Sequence, residues 1–154
     1  MILAVVMAAA ATANPCAAYG TALYVNAAER RLYVCERGQA KESLPVALGS
    51  GGIDKRKQGD AKLPLGEYAL GQPRGSTSFH AFIPVGYPTA EQRRQGYTGG
   101  DVGVHGPPRS IQGRATTALD WTLGCVAVGT DEEIDRIARW VSANQVRRVV
   151  IKAK

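Results

Sequence analysis

Val104-His105-Gly106, then sixteen residues from Gly106 to Trp121, then Thr122-Leu123-Gly124-Cys125-Val126-Ala127-Val128: the reading of this chain turns on these two segments and their order. They hold one of only 2 histidines and one of only 3 cysteines. Residues 102–105 and 126–128 are apolar and β-branched enough to predict short strands, and Gly106-Pro107-Pro108 ends the first of them. Gly124 lacks a side chain where a substrate carbonyl would approach Cys125, and such a turn leaves backbone N–H groups to hold an oxyanion. A thiol beside an imidazole can be held as the reactive thiolate. Gly-Cys before an apolar run is also what a strand entering a core looks like, and that plainer reading stands beside the nucleophilic one.

Working outward, residues 21–49 read as a strand meander. Leu23/Val25, Leu32/Val34 and Leu44/Val46/Leu48 read as alternating against polar neighbours, and turns fall at 26–30 and 37–38. Residues 49–60, rich in Gly and Lys, predict a long loop. Pro64-Leu65-Gly66-Glu67-Tyr68 turns into another strand, and 79–83 gives a short one. Thr89 followed three later by Gln92 is a capping-box pattern for a short helix ending at Gly96. Residues 106–117 form a basic, polar loop. Thr130 and Glu133 make a second capping box, acidic residues 131–132 suit a helix start, and Ile134, Ile137 and Val141 supply one apolar face. Residues 147–152 close the chain as a strand. The predicted fold is mainly β, with one or two flanking helices.

The chain has 154 residues, a net charge of +6 and a sequence pI near 9.5. Residues 2–11 are apolar and Ala-rich, and Ala11-Thr12-Ala13 reads as a small-residue cleavage site, so 1–13 is expected to be an export signal cleaved after Ala13, although no Lys or Arg precedes the apolar run. Residues 14–154 are then expected to form a single domain. The apolar run is about half of the ~20 residues a membrane-crossing helix needs, so no transmembrane helix is expected. The positive charge calls for an anionic partner. Arg30-Arg31, Lys55-Arg56-Lys57, Arg93-Arg94 and Arg147-Arg148 are scattered, with no nucleic-acid-binding motif among them, so nucleic acid is not expected; a murein sacculus, rich in peptide carboxylates, is an equally good counterpart for an exported basic protein, and a solvated surface accounts for most of these charges. Three cysteines in an oxidising compartment leave one odd. Cys16 and Cys35 are the candidate disulfide, with three buried thiols as the alternative. No zinc-ligand spacing, phosphate loop or dinucleotide fingerprint occurs, so neither metal nor cofactor is expected.

The order His105-Gly106, a spacer, then Thr122-Leu123-Gly124-Cys125 resembles the signature of the L,D-transpeptidase catalytic domain family. Lys57-Gln58-Gly59-Asp60 with Leu63-Pro64-Leu65-Gly66-Glu67-Tyr68, Ser78-Phe79-His80, Gly86-Tyr87-Pro88 and Asp120-Trp121-Thr122 extend the likeness over about residues 21–151. It implies a β-sandwich-like domain in the periplasm or cell envelope. It also implies a thioester mechanism on peptidoglycan, in which Cys125 attacks a stem-tetrapeptide donor and an amine acceptor resolves the acyl-enzyme. His105 is the implied base, oriented by the carbonyl of Gly106, with Asp101 or Asp120 as the alternative partner, the N–H groups of Gly124 and Cys125 as candidate oxyanion donors and Thr122 supporting the loop. Leu123 stands where many members carry a second His, and Ala127 where many carry Asn or Arg. With water as acceptor the same site would act as a carboxypeptidase or amidase; a non-catalytic murein-binding protein is the remaining alternative. His80 is either structural or site-lining. Arg109 and Arg114 are either solvated or hold stem-peptide carboxylates. Trp121 reads as a core anchor rather than a ligand platform.

Overall fold

The computed structural model describes residues 13–154, the side chain of Arg114 excepted. Apart from Ala13, the expected signal segment lies outside the described residues. The meander forms as β1 (Ala22–Asn26), β2 (Arg31–Glu36) and β3 (Gln39–Pro45), successively antiparallel. The predicted 49–60 loop is interrupted by a two-residue strand β4 (Gly52–Ile53) that pairs with β5 (Lys62–Leu63). Next come β6 (Gly66–Ala69), β7 (Arg74–Ser76), β8 (His80–Pro84), α1 (Ala90–Arg94) and β9 (Gly103–His105). A 3-10 turn (Arg114–Thr117) breaks the basic loop, and β10 (Val126–Ala127), α2 (Asp131–Ala143) and β11 (Arg148–Lys152) follow.

Two larger sheets result, in the orders β3-β2-β1-β11-β6 and β10-β9-β8-β7. One continuous core joins them: Leu23, Val25 and Ile151 come from the first, Ile83, Val104 and Val126 from the second, and Ile134, Ile137 and Val141 from α2. β1 is buried along its whole length rather than on alternate residues. Its second face, with Tyr24, is covered by Cys16 and Tyr19, and the Cys16–Cys35 disulfide fastens that cover to β2. Cys125 is the free cysteine.

Both helix starts follow the predicted caps, in different ways. Thr89 and Gln92 form the reciprocal capping box of α1. At α2 the Thr130 hydroxyl accepts from the N–H of Glu133, whereas the Glu133 carboxylate accepts from Gly129 rather than from Thr130 itself. Among the described residues no helix is long and apolar enough to cross a membrane.

Candidate active site

β9 and β10 run parallel, with His105 opposite Ala127, and this pairing brings the end of β9 beside the turn that precedes β10. That turn, residues 122–125, is stitched from within: the Thr122 hydroxyl donates to the Cys125 carbonyl (2.8 Å) and accepts from the N–H of Gly124 (3.2 Å). Main-chain bonds of Thr122 to Leu48 and Ser50 fix it to the end of the meander. Gly124 has φ +129°, and a Cβ there would stand 2.6 Å from the Lys62 carbonyl, so backbone conformation and space both require glycine. The N–H of Gly124, one of the expected pair of oxyanion donors, donates to the Thr122 hydroxyl.

His105 is buried, and its Nδ1 lies 2.7 Å from the carbonyl of Gly106. An N–H on Nδ1 donating to that carbonyl leaves Nε2 unprotonated in the neutral ring, the tautomer a general base requires. Asp120 takes no part in this; its carboxylate accepts from Arg30 and from the N–H of Leu48. The Phe79 ring stacks on His105 at 3.8 Å, and Phe82 and Trp121 approach it at 6.0 and 5.9 Å. Gly103 makes the Phe82 position possible, because a Cβ there would meet that ring at 2.3 Å.

His105 and Cys125 open on one cavity of about 680 Å³, whose walls include Phe79, Phe82, Trp121 and Leu123. A second cavity, about 560 Å³, lies on the Lys55 and Gly99 side, and Asp101, Leu123 and Cys125 border both. Leu123 is 81% exposed, so its side chain forms rim rather than core. The thiol donates to the Asp101 carbonyl at 3.6 Å. Burial pushes its pKa up, opposed by a hydrogen bond from the backbone of Gly103 and by the charge of Lys55, and reinforced by Asp101. Burial also pushes the His105 pKa down, against the bond to Gly106. Burial thus works in the same sense on both groups, favouring the uncharged form of each.

The remaining candidates lie elsewhere. His80 does not line either cavity: its Nε2 is 2.9 Å from both carboxylate oxygens of Asp135, which ties β8 to α2. Arg109 is paired with Asp131 at 2.9 Å, also outside the cavity walls. The Arg114 side chain lies outside the described residues. Trp121 is half-buried and forms a cavity wall, its Nε1 donating to the Thr116 carbonyl, rather than anchoring the core. Sequence reading passed over Arg74, Phe82, Lys55 and the carbonyl of Asp101. None sits in a sequence motif; β-pairing and a buried ion pair bring them to the site.

A mainly β domain that sets a Gly-Cys turn and a buried His on one cavity has the architecture of an L,D-transpeptidase catalytic domain. Residues 20–151 match the family model of the L,D-transpeptidase catalytic domain, and the chain belongs to that family. It is 32% identical over 110 residues to the YafK protein of Escherichia coli (strain K12), itself named for this family; the match covers 70% of this chain and 39% of that one. The chain thus spans well under half the length of that relative. Among solved structures it resembles the helical cell shape determining protein Pgp2 of Campylobacter jejuni, with a TM-score of 0.69, 24% identity and coverage of 86% of this chain and 47% of that one. Bd1075 of Bdellovibrio bacteriovorus (TM-score 0.62, 22% identity, 91% and 50% covered) shares the fold. So does an Enterococcus faecium L,D-transpeptidase (TM-score 0.55, 9% identity, 86% and 50% covered). The family acts on peptidoglycan of the cell wall.

Proposed function

We propose that the protein is an exported L,D-transpeptidase that transfers the acyl part of a peptidoglycan stem peptide through a thioester on Cys125. The observation that carries this is the opening of Cys125 and the Gly106-oriented His105 on one cavity. Nε2 of His105 takes the thiol proton as sulfur attacks the carbonyl of the third stem residue. The tetrahedral intermediate collapses with cleavage of the C–N bond, and the same proton goes to the departing amine of the terminal residue. The N–H of Cys125 is the oxyanion donor in this scheme. In the second half-reaction the acceptor amine attacks the thioester, its proton passes to His105, and the thiol is restored. The second cavity supports transfer over hydrolysis, since an amine-bearing peptide has room on the far side of the sulfur. A role in cell shape, which the name of Pgp2 states for that protein, would follow from the same cross-linking. Export is supported by the Cys16–Cys35 disulfide, which needs an oxidising compartment.

The test has two stages. Intact mass after exposure to a carbapenem should show one adduct localised to Cys125; absence of the adduct would favour the non-catalytic reading. Incubation with a stem tetrapeptide and a soluble amine should then yield the amide. Release of free acid alone would assign the site to a hydrolase.

A further inference from the structure

Arg74, Phe82 and His105 stand directly opposite one another across three adjacent strands: Arg74 faces Phe82 in the β7–β8 pair, and Phe82 faces His105 in the β8–β9 pair. The side chains follow the register. The Arg74 guanidinium lies over the Phe82 ring, 4.9 Å from its centroid, and the Phe82 and His105 rings are within 13° of parallel. Arg74 therefore begins a row that ends at the proposed base, on the wall of the same cavity. Exposed on the surface, it makes no ion pair among the described residues, a property it shares with Arg31, Arg37, Arg93, Arg139 and Arg147, but of these Arg74 alone stands in the wall of this cavity. Stacking on an aromatic face leaves the guanidinium edge, with its paired N–H groups, open to a planar anion. Asp101 is the one acidic residue in this cavity wall, and Ser76, Thr77 and Ser78 beside Arg74 add neutral polar groups.

We infer that Arg74 is the carboxylate-binding residue of this cavity, holding a carboxylate of the donor peptide on the N-terminal side of the bond that is broken. The inference rests on the stem-peptide reading above and gives Arg74 the role that was one of two readings for Arg109 and Arg114. Two strand spacings separate the Arg74 and His105 backbones, about 10 Å, and the side chains keep a like interval, the guanidinium standing 4.9 Å from the Phe82 centroid and that centroid 6.0 Å from the His105 ring. A carboxylate on the departing residue would lie only about 4 Å from the reacting carbon, a residue spacing being about 3.3–3.6 Å. A long acidic side chain of the reacting residue, or the free carboxylate of the residue before it, matches the longer separation.

The probe is a donor tetrapeptide with all carboxylates free, together with analogues in which each carboxylate in turn is amidated. Each is titrated calorimetrically against the full chain carrying Cys125→Ala, with Arg74 intact or as R74Q or R74K. With Arg74 in place, amidating one carboxylate N-terminal to the scissile bond should weaken binding about tenfold, the scale of a lost charge-assisted pair. In R74Q that amidation should change binding by less than about twofold, and R74K should fall between. Which analogue responds distinguishes the side-chain from the main-chain carboxylate. Equal amidation effects with and without Arg74 would overturn the assignment, as would coupling of Arg74 to the departing residue's carboxylate alone. A tetrapeptide that fails to bind even with Arg74 intact would overturn the stem-peptide reading along with it.

Discussion

At the scale of single residues the site sets its own pH dependence. Burial holds the His105 pKa below the ordinary histidine value, so on the proposed reading the acid limb of kcat/KM should lie below about 6.5, with activity rising as His105 loses its proton. Burial holds the Cys125 thiol above its ordinary value, so alkylation of the free enzyme by a small neutral reagent should climb with a midpoint above about 8.5. A midpoint near neutrality would show a resting thiolate and overturn the upward shift of Cys125. Cys125→Ala should abolish acyl transfer, and His105→Ala should lower it by about 10²–10⁴, the usual worth of a general base. Gly124→Ala forces a side chain onto the Lys62 carbonyl at positive φ, and should cost roughly 1–3 kcal/mol in a denaturation curve while slowing alkylation of Cys125. The roles of Cys125, His105, Gly106 and Thr122 could be proposed from sequence because the segments that hold them resemble the L,D-transpeptidase signature; without that resemblance Gly-Cys before an apolar run reads equally as a strand entering a core. Arg74 could not, because only β7–β8 register sets it opposite Phe82, and register is not written in local sequence.

Among elements, legibility followed hydrophobic period and caps. The meander, α1, α2 and β11 were readable because alternation or a Thr-x-x-Gln/Glu pattern marks them. β4, β5 and β7 have two or three residues each, too few for any period, and are held by long-range pairing. Full burial of β1 was hidden for a related reason: Tyr24 reads as a surface residue until residues 14–20 fold over it. α2 supports the site from behind. Ile134 packs near Gly106, His80 bonds Asp135, and the Arg136 guanidinium pairs with Glu42 of β3. Thr130→Ala removes the hydroxyl that accepts from Glu133 and should cost about 1 kcal/mol of global stability. His80→Ala, which detaches β8 from α2 without touching the cavity, should lower acyl transfer far less than His105→Ala. Equal losses in the two variants would place His80 in the chemistry.

For the whole molecule, the proposed export and the proposed nucleophile set two conditions that must hold together: Cys16 and Cys35 are bridged, and Cys125 stays reduced. The fold separates them. Cys16 and Cys35 are fully buried on the outer face of β1, beneath Tyr19 and beside Tyr24, whereas Cys125 opens into cavities on the other side of the core. A bridge closing 19 residues should contribute about 3 kcal/mol in the chain-entropy model, or about 10 °C in Tm for a domain of this size. Since the bridge touches neither His105 nor the 122–125 turn, its reduction should lower Tm without lowering acyl transfer measured well below the melting range. The check is alkylation and mass mapping of the native and then the reduced chain, beside a melting curve of each. One free thiol at position 125 and a Tm drop with activity intact is the expected result. Three free thiols in protein made under oxidising conditions would remove the disulfide, and with it the support it lends to export. Loss of activity on mild reduction would mean that the outer cover of β1 reaches the site, which the separation of the two faces argues against.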